Sequence, residues 1–119
     1  PAAFIAMARE RIGPWPVNGP ALAIAAQAYG DAAWIAAHRQ ALAQQAAKLR
    51  QVLARHGRII GGTDLFVLLQ ADNSGALHAG LAAARIHVRD FAEQGAWLRF
   101  GLPGEETAWK RFEAALALV

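Results

Sequence analysis

Ile86-His87-Val88-Arg89-Asp90-Phe91-Ala92-Glu93-Gln94-Gly95-Ala96-Trp97-Leu98-Arg99-Phe100-Gly101-Leu102 is the stretch on which the reading of the fold turns. Two runs rich in β-branched and aromatic residues flank a polar, glycine-containing centre, the pattern of two strands joined by a short connection. Successive strand residues face opposite ways. On the first run Ile86 and Val88 therefore share one face, and His87, Arg89 and Phe91 share the other. On the second run Leu98, Phe100 and Leu102 lie on one face, with Trp97, Arg99 and Gly101 opposite. A hairpin centred near Gln94, with its apolar faces turned to a core, sets Arg89 directly across from Arg99 on the face away from that core.

Like charges placed directly opposite one another destabilise a sheet. An anion between them reverses the sign, because guanidinium forks grip carboxylate or phosphate through paired hydrogen bonds. Spacing alone leaves this reading open beside a plainer one, two solvated arginines that alternate outward, since exposed arginine is ordinary.

Around this hairpin the sequence alternates between helical and strand patterns. Downstream, Pro103-Gly104 ends the second strand, and Glu105 and Glu106 open a helix whose buried stripe is Trp109, Phe112, Leu116 and Val119; acids favour a helix N-terminus. Upstream, Ser74 caps a helix that runs to Arg85 with Leu77, Leu81 and Ala84 on one face. Before it lie a turn cluster, Ala71 to Gly75, and two strand candidates, Arg58-Ile59-Ile60 and Leu65 to Gln70. The longest element spans Ala32 to His56, with Asp31 as N-cap, Gly57 just beyond its end, and Ile35, Leu42, Ala46, Leu49, Val52 and Leu53 as its stripe. A helix from about Pro20 to Tyr29, capped by Asn18 or Gly19, and another from Phe4 to Arg11 complete the chain. The layout is helices followed by β-β-α-β-β-α, which predicts an α+β two-layer domain with a mainly antiparallel sheet packed by helices.

Composition narrows the function classes. The chain has 119 residues, enough for one domain. It has no cysteine, which excludes disulfides, thiolate metal sites and thiol catalysis. Its net charge is +3, but the basic residues are interleaved with acids and form no basic run, so no nucleic-acid partner is expected. The apolar runs fall far short of the roughly 20 residues that span a bilayer, so no membrane partner is expected either. No pair among His38, His56, His78 and His87 has the helical spacing of a metal site. Ser74 is the only serine and has no evident His-Asp partners. Gly61-Gly62-Thr63 is not followed by the residues of a phosphate loop, and it reads as a turn or bulge before a buried strand. The chain starts at Pro1 without an initiator methionine, close to helical sequence, which reads as a piece of something longer.

Four stretches taken in order resemble one family. They are Gly13-Pro14-Trp15-Pro16-Val17-Asn18-Gly19-Pro20-Ala21, Gly61-Gly62-Thr63-Asp64-Leu65-Phe66, Ile86 to Phe91 and Trp97 to Gly104. The family is threonine-phosphate decarboxylase of cobalamin biosynthesis, in the fold-type I pyridoxal-phosphate aminotransferase superfamily. The resemblance implies a C-terminal domain of aminotransferase type, with residues 1–30 leading in from a large cofactor-binding domain and residues 31–119 forming the small domain. It implies that Arg99 grips the substrate α-carboxylate and that Arg89 helps bind the substrate phosphate or carboxylate. Asn18 lies in a motif that reaches the cleft in that family and is a third candidate substrate contact. The implied substrate is a small phosphorylated amino acid, and the implied parent is a cytoplasmic homodimer releasing carbon dioxide and an aminopropanol phosphate.

The family's catalytic lysine lies in a Ser-x-Lys-x-x-Gly type of segment, and neither Lys48 nor Lys110 has that setting. The resemblance therefore implies that pyridoxal phosphate belongs to the intact enzyme, that none is bound by this piece, and that this piece is inactive alone. A histidinol-phosphate aminotransferase-like enzyme and a non-catalytic interaction module are the alternative readings.

Overall fold

The computed structural model describes residues 2–119; Pro1 lies outside the described residues. The chain divides into two compact units, residues 1–36 and residues 37–119. The first holds helices α1 (Ala2–Ile12) and α2 (Gly19–Gly30) and the opening of α3 (Ala32–Leu53). Asn18 caps α2, its Oδ1 accepting from the Ala21 N–H at 2.8 Å, with Pro20 in the first turn. Asp31 caps α3 in the same way, accepting from the Trp34 N–H at 2.9 Å. No described residue of this unit is buried, and it displays large apolar side chains, Trp15 being 89% and Tyr29 82% exposed.

The second unit is an α+β two-layer domain. After α3 come β1 (Gly57–Gly62), β2 (Phe66–Ala71), α4 (Ser74–Ala83), β3 (Arg89–Phe91), β4 (Trp97–Gly101) and α5 (Glu106–Leu116). The strands form one sheet in the order β1-β2-β4-β3, and every neighbouring pair is antiparallel. β2 and β3 both pair with β4 and so run the same way, which makes β2-α4-β3 a split crossover with β4 inserted between its strands. The expected antiparallel sheet packed by helices is therefore what the chain builds.

Strand alternation decides what is buried. Val67, Leu69 and Ala71 of β2 and Leu98 and Phe100 of β4 turn inward. They meet Leu49 and Leu53 of α3, Leu77 and Leu81 of α4, and Trp109, Phe112, Ala115 and Leu116 of α5. Phe100 and Phe112 lie 6.1 Å apart between ring centroids, and Trp109 meets Phe112 edge-on at 6.3 Å. Such tilted contacts add to area burial.

Several expected boundaries move. The long helix ends at Leu53, not His56, and Gly57 opens β1 with φ 148° rather than following a helix. A side chain there would strike the Gln70 carbonyl across the ladder, so the residue that looked like a helix stop serves a close strand approach. His56 accordingly lies beyond the helix. Asn73, not Ser74, caps α4, its Oδ1 accepting from the Ala76 N–H at 3.2 Å. Ile86 to Val88 makes no ladder, and β3 begins only at Arg89. Val119 lies past the end of α5 and is 45% exposed. Between Ile59 and Gly61 the β1–β2 register shifts, the bulge that the Gly61-Gly62 pair suggested.

Phe100 joins the central strand to α5 and is almost wholly buried. Phe100→Ala is expected to cost about 3–5 kcal/mol, read as a lowered urea midpoint of the 119-residue chain at unchanged m-value.

Candidate functional site

The inward commitment of Leu98 and Phe100 forces Arg99 onto the outer face of the sheet. Val88, buried, and Asp90, paired with Leu98, do the same for Arg89 between them. The two arginines are directly opposed, Arg89 with Arg99, in the β3–β4 ladder. Both are exposed. The geometry drawn from alternation alone is thus the geometry present, although the strand that carries Arg89 is shorter than expected.

Each guanidinium lies against an aromatic ring on the same face. Arg89 Cζ is 5.1 Å from the centre of the Phe91 ring, and Arg99 Cζ is 5.3 Å from that of Phe66. Phe91 is two residues along β3 from Arg89, while Phe66 pairs with Gly101, two residues along β4 from Arg99. A stacked guanidinium keeps its N–H edge free while losing rotational freedom, and the contact itself contributes about 0.5–1 kcal/mol at an exposed site. Among the described residues neither arginine has a carboxylate partner.

The pair lines an open depression of about 470 Å³ with Leu65, Phe66, His87 and Gly101. Arginine edges over an apolar floor suit a small ligand carrying carboxylate or phosphate. Phe66, Leu65 and Gly101 were not singled out from the sequence as site residues. Their place depends on the β2–β4 pairing, which no local pattern specifies.

Asn18 belongs to the first unit, where its side-chain oxygen is engaged in capping α2. The histidines are spread over α3, α4 and loops, and among the described residues no group of three metal-ligating side chains converges. Nor do the residues present fit a pyridoxal phosphate site. Lys48 is held on the helical layer, its Nζ 3.4 Å from Glu113 Oε1 and 4.2 Å from the centre of the Trp109 ring. Lys110 is exposed on α5. Both stand across the sheet from the arginines.

Against known proteins, no family model matches the chain. Two curated proteins do. One, a threonine-phosphate decarboxylase of Pseudomonas aeruginosa, is 43% identical over 108 residues, which are 90% of this chain and 32% of that protein. The chain is similar to threonine-phosphate decarboxylase. A second threonine-phosphate decarboxylase, from Sinorhizobium sp, is 39% identical over 108 residues, 89% of this chain and again 32% of the relative. The chain thus spans about a third of the length of the curated decarboxylases it matches, and the resemblance drawn from its motifs holds across nearly all of it.

An arginine pair held against its own repulsion should respond to anions. At constant ionic strength, replacing chloride by phosphate is expected to raise the Tm of the chain. Arg89→Gln should leave stability in chloride nearly unchanged, because relief of a directly opposed like charge is offset by loss of the Phe91 contact, each about 1 kcal/mol or less, and should abolish most of the phosphate gain. Parallel melts of the two proteins in both salts read both effects.

Proposed function

We propose that this chain is the C-terminal, substrate-anion-binding domain of a larger pyridoxal-phosphate-dependent enzyme that decarboxylates a phosphorylated amino acid, threonine phosphate. Residues 1–30 lead in from a large cofactor-binding domain and residues 31–119 form the small domain. The parent acts as a cytoplasmic homodimer. Arg99 binds the substrate carboxylate, Arg89 binds its phosphate, and this piece alone has no activity.

The observation that carries this reading is the opposed Arg89–Arg99 pair on the outer sheet face. Each guanidinium is stacked on a ring and, among the described residues, neither is neutralised by a carboxylate. Similarity to two threonine-phosphate decarboxylases over about nine-tenths of the chain supplies the substrate class. The exposed apolar side chains of the first unit support a covering domain, because apolar patches of this kind mark interfaces. Since the residues present do not fit the cofactor, the bond-breaking chemistry is assigned to the large domain. What this chain contributes is orientation: gripping both anionic ends fixes how the substrate's central carbon is presented.

Arg99→Ala in the full-length enzyme is expected to raise KM for threonine phosphate about thirtyfold or more, since truncating one partner of a charged pair costs about 2–5 kcal/mol. Carbon dioxide release, followed beside amino transfer, reads the reaction. Unchanged kinetics for this variant would overturn the assignment, and amino transfer without carbon dioxide would make the parent an aminotransferase.

A further inference from the structure

A guanidinium fork offers two parallel N–H groups. That reaches both oxygens of a carboxylate. It does not saturate a phosphate monoester, which has three terminal oxygens. Whichever arginine takes the phosphate through such a fork therefore leaves one oxygen open to a further donor. Among the described residues that line the depression, His87 is the one side chain besides the arginines that carries an N–H.

Its placement follows from the backbone. Helix α4 ends in a turn at Arg85, where φ is 58° and the N–H donates to the Ala82 carbonyl at 2.9 Å. The Ile86 N–H then returns to the Leu81 carbonyl at 2.8 Å, which anchors the segment that enters β3. Val88 is buried, so His87 and Arg89 on either side of it turn outward together. His87 and Arg89 both line the same depression. On its far side His87 borders a second crevice, of about 270 Å³, whose charged lining residues are Arg85 and Arg111. No carboxylate lines either hollow to compete for the imidazole.

We infer that His87 is the third contact of the site, donating a ring N–H to the phosphate oxygen that Arg89 leaves unsatisfied, and that it sets the preference for phosphorylated over unphosphorylated amino acids. Either neutral tautomer keeps one N–H, so the contact does not require a particular protonation state. The inference rests on the function proposed above and adds to it a residue and a role. It also orders the site: the β3 side holds the phosphate and Arg99 of β4 holds the carboxylate.

The test uses the full-length enzyme with His87→Ala, His87→Asn and, separately, Arg99→Ala. Threonine phosphate serves as substrate and threonine as competing ligand. Loss of one hydrogen bond to a charged group predicts a KM for threonine phosphate raised roughly ten- to a hundredfold in His87→Ala. The inhibition constant of threonine should stay unchanged, and His87→Asn, which keeps an N–H, should recover part of the loss. Equal weakening of both ligands, or no change in either, overturns the role of His87. If Arg99→Ala binds both ligands normally, the proposed function itself fails, whatever His87 does.

Discussion

The pairing of β4 with β2 on one side and β3 on the other is the constraint on which the rest depends. β4 is a central strand, and its side chains have only two directions in which to point. Leu98 and Phe100 take the inward one, and their complete burial against three helices supplies the force that holds the register. A slip of one residue would bring Arg99 into the core and expose both apolar groups, which no part of this small core could offset. Opposed arginines are thus enforced by packing on the other side of the sheet. The core tolerates their repulsion, which at a few tenths of a kilocalorie to about one is small beside the burial of Phe100.

The two faces of the sheet divide the labour. The inner face and its helices confer stability and contain the lysines, one of them tied by Glu113 and Trp109. The outer face carries the proposed anion site. There the aromatic rings of Phe66 and Phe91 do for the arginines what helix packing does for the core side chains: they limit the conformations to be lost when a ligand binds.

The hairpin arginines, the inward face of β4 and the core stripe Trp109, Phe112 and Leu116 of α5 were legible in the sequence, because all follow from strict periods of two or 3.6. The β1 bulge falls at Ile60, beside the Gly61-Gly62-Thr63 stretch that reads as a turn or bulge. What was not legible depended on competition between neighbours. Asn73 and Ser74 are both good caps, and only the turn geometry selects the first. Gly57 suits a helix end as well as a cross-strand approach, and the close Gln70 carbonyl decides. Ile86 to Val88 has a strand's composition and alternation, yet it is occupied in leaving α4 and finds no partner strand. In the site, the arginines were readable from one hairpin, but the ring beneath Arg99 comes from β2, and no local pattern ties Phe66 to Gly101.

β3 is only three residues long and lies at the edge of the sheet. An exposed edge offers unpaired backbone groups to any passing strand, and short, charged edges discourage that addition. Arg89 and Asp90 occupy two of its three positions and both are exposed. The arginine proposed to face the anion thus also guards an open rim against aggregation. A protein relieved of that charge would lose in colloidal behaviour, so on the proposed function solubility and ligand binding both draw on a single side chain.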